Sequence, residues 1–173
     1  MIRLRTERLE LSTLTIDEAS AISLGDRSGR IWADDYPTPG DLIVAGIALH
    51  AGEHYDEDAA LGVLQMRLLP SESDPGPALV IGGIGFINPP DADGFAEVGY
   101  GIAESYQGQG FATEALLVVI DYARTQGALG VIAVTEIDNL PSQRLAQRCG
   151  LVFVGRFDSG DDRDLQRWEL RFD

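Results

Sequence analysis

The chemistry in this sequence is densest at residues 97–113, Glu-Val-Gly-Tyr-Gly-Ile-Ala-Glu-Ser-Tyr-Gln-Gly-Gln-Gly-Phe-Ala-Thr. Val98, Tyr100 and Ile102 alternate with small residues, the period of a strand with one packed face. From Phe111, apolar residues recur at Ala115, Leu116, Val119, Ile120 and Ala123, the period of a helix with one buried face. Between the two lie Gln107, Gly108, Gln109, Gly110, Phe111 and Ala112. A helix N-terminus carries unpaired N–H groups and the positive end of the macrodipole. Glycines there remove the side chains that would hold an anion away. A strand running into such a turn is predicted to cradle a phosphate or pyrophosphate. It is not a P-loop: no Lys follows its glycines, and the chain contains no lysine. Nor is it placed as a dinucleotide fingerprint, which opens a series of βαβ units; here it follows a long run of strand-like segments.

Other residues could carry chemistry. Asn139 and Ser142 are spaced as a helix start, and both residue types cap helices well. Trp32, Asp34, Asp35 and Tyr36 gather two aromatics and two carboxylates in one loop. Cys149 abuts Gly150 at a predicted helix end and reads as packing, because no His shares its surroundings. His50-Ala-Gly-Glu53-His54 matches His-x-x-Glu-His, a zinc motif when it is helical and a third ligand lies downstream. Gly52 weakens that helix and no other His exists, so a zinc hydrolase through His50, Glu53 and His54 is an alternative only.

Gln107, Gly110 and Ala112 fill the fixed positions of Gln/Arg-x-x-Gly-x-Gly/Ala. With this pattern the chain resembles the GNAT N-acetyltransferases, whose acetyl-CoA pyrophosphate loop it is. Glu97-Val-Gly-Tyr100, Gly110-Phe-Ala-Thr-Glu-Ala115, Asn139-x-x-Ser142 and Cys149-Gly-Leu151 are similar to the RimJ/RimL branch. That branch acetylates protein N-terminal amines and other amines. The likeness runs from Thr6-Glu7-Arg8-Leu9 to the last strand. It implies acetyl-CoA as cosubstrate, no metal, and an amine acceptor that is a small molecule or a protein N-terminus. It places the pantetheine along Tyr100, Gly101, Ile102 and Ala103, and the pyrophosphate on N–H groups from Gln107 to Ala112, with Thr113 beside them. Asn139 would hydrogen-bond the pantetheine or the acceptor. Many relatives carry an acidic Tyr seven residues after this Asn; here that position is Ala146, and Ser142 takes the role in the resembled branch. The attacking amine must be neutral, so a base has to take a proton. In the resembled branch a Glu at the position of Glu97 commonly does so; the other reading of Glu97 is a structural carboxylate. Glu104, past the pantetheine edge, is a lesser candidate. Trp32, Asp34, Asp35 and Tyr36 would bind the acceptor, with the loops at Glu72 to Asp74 and Asp91 to Asp93 at the rim. A non-catalytic acyl-CoA-binding protein and a different acyl-CoA remain alternatives.

The elements that must position these groups are legible in outline. Residues 2–11 alternate as Ile2, Leu4, Thr6, Leu9 and Leu11, a first strand with one imperfect register. Thr15 and Glu18 open a helix at capping-box spacing, and Gly25 ends it. Pro39, Gly40 and Asp41 lead into a second helix. Strands are predicted over 61–69, 78–87 and 95–103, separated by loops rich in Pro, Asp and Gly. A helix over 110–126, a short buried strand over 131–136 and a helix over 141–149 follow. Strands over 151–157 and 165–172 close the chain around the acidic turn 158–162. The order β-α-α-β-β-β-α-β-α-β-β is that of a GNAT fold in the α+β (mixed α/β) class. Its sheet is twisted and mostly antiparallel, of about seven strands, splayed between the fourth and fifth and flanked by about four helices.

At 173 residues the chain suits a single domain over 1–173. Hydrophobic content of 45% and charged content of 24% are those of a soluble globular protein. No apolar run reaches membrane-spanning length, and the first residues carry no signal-peptide core. A lone cysteine excludes an internal disulfide and suits a reducing cytoplasm. A net charge of -15 disfavours nucleic acid and anionic membrane as partners and is compatible with a cationic acceptor. A homodimer is the remaining partner considered.

Overall fold

Each helix is bounded by the residues that its end requires. The first, α1 (Ile16–Leu24), starts where the Thr15 side chain accepts from Glu18 N and stops at Gly25, which is left-handed at φ 65°. The second, α2 (Pro39–Ala51), carries a full capping box between Thr38 and Asp41, with Pro39 at its start. In α3 (Phe111–Thr125) the predicted stripe of Phe111, Ala115, Leu116, Val119, Ile120 and Ala123 is buried. A fully buried Leu or Val contributes about 1.5–3 kcal/mol. The last, α4 (Leu140–Arg148), is capped by Asn139.

The computed structural model describes residues 1–173 apart from 74, 87 and 159–163. The acidic turn 158–162 and Asp74 of the first loop therefore fall wholly or mainly outside the described residues. The strands are β1 (Arg3–Arg5), β2 (Leu9–Thr13), β3 (Val63–Leu68), β4 (Leu79–Phe86), β5 (Phe95–Ile102), β6 (Gly130–Glu136), β7 (Val152–Asp158) and β8 (Asp164–Arg171). They form one sheet in the order β1-β2-β3-β4-β5-β6-β8-β7. All neighbours are antiparallel except β5 and β6.

Among the described residues the sheet has eight strands, one more than predicted, because the predicted first strand is a hairpin. Thr6 N donates to the Leu9 carbonyl at 2.9 Å, and Thr6 Oγ accepts from Leu9 N at 2.9 Å. That tight turn folds β1 back on β2, with Leu4 opposite Leu11. The broken alternation around Thr6 is this turn. The splay consequently falls between the fifth and sixth strands.

The splay itself is a matter of register. Parallel pairing of β5 with β6 covers Phe95, Ala96 and Glu97, opposite Gly130, Val131 and Ile132. Beyond Glu97 the β4 side of β5 stays paired as far as Ile102, while the β6 side is released. One edge of β5 from Val98 onward thus presents its backbone groups to a cleft. Helices cover both faces of the sheet. Side chains alternate along β5: Gly99 and Gly101 face α2, and Tyr100 reaches α4.

Candidate active site

The released edge of β5 runs into a short 3-10 turn, Glu104–Tyr106, and then into residues 107–110. Gly108 and Gly110 take left-handed backbones at φ 74° and 85°, which a side chain would strain. Gly110 caps α3 without a side-chain hydrogen bond. Among the described residues, no acceptor meets the N–H groups of Gly108, Gln109, Gly110, Phe111, Ala112 and Thr113. The last four of these N–H groups belong to the cap and first turn of α3, at the positive end of its dipole, where an anion is favoured. The exposed Gln107 and Gln109 side chains donate to the Ile102 and Ser105 carbonyls at 3.2 Å each.

Arg8 completes this end of the cleft. Its guanidinium lies over the Phe111 ring, 4.4 Å from the centroid, and donates to the Gln109 carbonyl at 3.1 Å. A Cβ on Gly110 would sit 3.4 Å from Arg8 Nη2. Glu114 orients it: Arg8 Nε and Nη2 both reach Glu114 Oε2 at 2.7 Å. Thr6 Oγ and Arg8 N donate to Oε1. Burial of Glu114 opposes its charge, but these hydrogen bonds and the Arg8 cation hold its carboxyl below the usual range. The pyrophosphate of acetyl-CoA fits this site: the donor row, the missing side chains and the adjacent guanidinium suit an anion.

Glu97 stands at the last paired position before the splay, exposed, on the same face as Gly99 and Gly101. Its carboxylate makes no hydrogen bond or ion pair among the described residues. Across the cleft, Ser142 Oγ lies 3.0 Å from Tyr100 Oη, which also sits 3.3 Å from the Ser142 carbonyl. Asn139 Oδ1 accepts from Ser142 N at 3.1 Å, so Asn139 caps α4 and fixes Ser142 in its first turn. Ala146 is buried under the helix. Burial raises the Tyr100 phenol, and its bond with Ser142 offsets part of that rise. The sequence lacks a tyrosine on α4, but strand β5 brings one to Ser142. Nothing in the sequence placed this phenol on the α4 side of the cleft. Cys149, buried behind the site, has its thiol pushed up to about 11 by desolvation.

A cavity of about 400 Å³ opens beside this edge, between the sheet and α2. Gly83, Gly85, Gly99 and Gly101 line it, and Tyr100 and Val134 join it to the splay. Of the four loop residues predicted to meet the acceptor, Tyr36 lines this cavity. Trp32 lies in the core, edge-on to Tyr36 at 5.2 Å. Asp35 is engaged by Ser105, accepting from its N at 2.8 Å and its hydroxyl at 2.7 Å. Asp34 is exposed. Asp91 Oδ1 accepts from Asp93 N and Phe95 N, at the far end of β5 from the cleft. Asp41, read from sequence only as part of a helix start, is buried and lines the cavity.

Gly52, at φ 54° and ψ -122°, ends α2 between His50 and His54, so the zinc motif is not on one continuous helix. Among the described residues no three His, Cys, Asp or Glu side chains are grouped to hold a metal ion. Among the described residues no helix is long and apolar enough to cross a membrane.

The family model for the acetyltransferase (GNAT) domain matches residues 8–152. The chain belongs to the GNAT acetyltransferase family. Membership brings acyltransferase chemistry in general with it. Among curated proteins, the chain is similar to the uncharacterized N-acetyltransferase YjdG of Bacillus subtilis (strain 168), 31% identical over 74 residues. That match spans 42% of this chain and 44% of the relative. Among solved structures, an acetyltransferase from Agrobacterium tumefaciens str. C58 superposes with a TM-score of 0.65 at 23% identity, covering 99% of this chain and 95% of that one. RimL, a ribosomal L7/L12 alpha-N-protein acetyltransferase in complex with coenzyme A, gives 0.66 at 18% identity, covering 99% of each. At these identities the structural likeness speaks for the fold.

Proposed function

We propose that this GNAT protein is an acetyl-CoA-dependent N-acetyltransferase that transfers acetyl to a primary amine within one ternary complex. The observation that carries the reading is the continuity of the free β5 edge with the row of unsatisfied N–H groups at residues 108–113. An extended chain ending in a pyrophosphate is the ligand shape that uses both. The likeness to RimL, described with coenzyme A, agrees with it and with a RimJ/RimL-type acceptor. Bound acetyl-CoA supplies the activated acetyl thioester.

The chain's own residues do the rest. Backbone groups of Tyr100, Gly101 and Ile102 hold the pantetheine, Ala103 ends that edge with its N–H on the Ile81 carbonyl and its carbonyl on Tyr106 N, and the 108–113 donors with Arg8 hold the phosphates. Glu97, directly or through water, takes the acceptor's proton and delivers a neutral amine to the cleft. The Ser142 and Tyr100 hydroxyls, 3.0 Å apart, hydrogen-bond the departing sulfur and supply its proton. Asn139 positions Ser142 by holding the first turn of α4.

Acetyl-CoA at one hundred times its dissociation constant should stabilise the fold by about 2.7 kcal/mol. The expected result is a rise in melting temperature with acetyl-CoA that adenosine and NAD do not reproduce. Gly110→Val, which strains φ 85° and crowds Arg8, should abolish it. Thiol release from acetyl-CoA across a panel of amines then identifies the acceptor. No shift at millimolar acetyl-CoA would end this reading.

A further inference from the structure

Asp41 is 8% exposed and lines the cavity beside the cleft. Its two oxygens do different work. Oδ2 accepts from Thr38 N at 2.9 Å and from the Thr38 hydroxyl at 2.5 Å, closing the capping box of α2. Oδ1 has no hydrogen-bond donor among the described residues. It projects toward Gly83, where a Cβ would lie 2.6 Å away. No Arg, His or terminal amine lies within ion-pair distance of Asp41 among the described residues.

The surroundings sharpen the point. Gly83 pairs with Gly101 and Gly85 with Gly99, so at these positions β4 and β5 put no side chain beneath Oδ1, and Val63 and Gln65 of β3 flank the glycine floor. The walls include Ile43, Val44, Leu64 and Tyr36. The buried amide of Gln65 is already committed, donating to Tyr36 Oη at 3.5 Å and accepting from Arg67 at 2.7 Å. A carboxylate with a free oxygen therefore faces an apolar, glycine-floored space of about 400 Å³. A buried carboxylate without a cation is costly, and it is resolved by protonation or by a cationic ligand. Desolvation raises the Asp41 carboxyl in the free protein, which fits an unmet partner. Capping alone does not require the charge, since a neutral amide oxygen accepts the same bonds.

Resting on the acetyltransferase reading above, we propose that Asp41 selects the acceptor: its Oδ1 seats the non-reacting ammonium group of a compact organic diamine with an apolar spacer, whose other amine reaches the cleft and is the one acetylated. The volume suits a small molecule. Successive paired glycines connect the seat to the splay, so a bound amine extends from Asp41 toward Gly99 and Tyr100.

The test uses CoA-saturated protein and three probes: butylamine, 1,4-diaminobutane and butanol. Both amines should raise the melting temperature, and butanol should not. Asp41→Asn, which keeps an acceptor oxygen for Thr38, should fold, keep its response to CoA and bind the amines at least tenfold more weakly. Gly83→Ala, whose methyl group would press on Oδ1, should weaken them likewise with the charge retained. In wild-type protein, the Asp41 carboxyl ¹³C signal should titrate at lower pH when amine is bound. Equal amine affinity in Asp41→Asn and wild type, no amine response in wild type, or an unmoved carboxyl titration would each overturn the proposal. Failure of the acetyltransferase reading shows separately, as loss of the acetyl-CoA response in wild type.

Discussion

The Ser142 and Tyr100 hydroxyls share one hydrogen bond at 3.0 Å, so they act as a unit rather than as two independent donors. Ser142→Ala should lower turnover more than it weakens acetyl-CoA binding. A loss near 10²-fold, the lower end for acid catalysis, fits a thiolate that leaves readily. Tyr100→Phe keeps the ring and removes the phenol, and it should cost a similar factor. The double variant should be far from additive, because either change already breaks the pair. Steady-state kinetics of the three variants beside their acetyl-CoA thermal shifts checks this. Glu97→Gln separates base from scaffold. As a base, Glu97 accounts for roughly 10²–10⁴ in turnover, and the loss shrinks at high pH where free amine is abundant. As a structural carboxylate, its removal lowers the melting temperature and leaves the pH profile parallel to wild type. Its exposure and lack of partners favour the first outcome.

At the scale of elements, α2 is the piece whose placement shapes the cavity. Thr38→Ala removes the hydroxyl that accepts from Asp41 N and donates to Asp41 Oδ2. Loss of a cap of this kind costs about 1 kcal/mol, or about 2–4 °C in a chain of this size, and frees Asp41 to change rotamer. Thermal melts of Thr38→Ala read the first effect. The same element shows where sequence reading stops. Pro39, Gly40 and Asp41 announce a helix start, but local sequence does not say that Asp41 also meets a strand of glycines 42 residues on. The α3 stripe, the Asn139 start and the β5 strand were legible because each follows from a local period or cap. The division of residues 2–11 into a hairpin was not, because Thr6 turns the chain through contacts with Leu9 and Glu114. Trp32 likewise looked like a rim aromatic, and only tertiary pairing with Val80 carries it into the core. The left-handed glycines of the turn before α3 were readable, since their backbone conformation is local; the Arg8 beside them was not, because it arrives from more than one hundred residues earlier in the chain.

Across the whole molecule, that Arg8 contact ties the N-terminal hairpin to the start of α3. Glu114 receives Arg8 Nε, Arg8 N and Thr6 Oγ, and Arg8 in turn bonds the turn at Gln109. The clamp fixes the anion cradle to β1 and β2 at a point where neither shares a strand with it. Its pH dependence follows from the direction of the Glu114 shift. The folded-state carboxyl titrates below its ordinary value of 4.5, so the unfolded chain binds the proton first as pH falls. The clamp's contribution is complete above about 4.5 and is lost as pH drops through the lower folded value. Arg8 is 43% exposed, so screening limits the pair to about 1 kcal/mol. Glu114→Gln should therefore lower the melting temperature by a few degrees at pH 7, and the gap to wild type should close as pH falls below 4.5. The same variant should weaken acetyl-CoA binding at neutral pH, because Arg8 loses the carboxylate that aims it at Gly110. Melting curves from pH 3 to 8, with and without acetyl-CoA, measure both. A Glu114→Gln gap that stays constant across that range would show that the carboxylate serves packing alone, and the cradle would then rest on the backbone of residues 108–113.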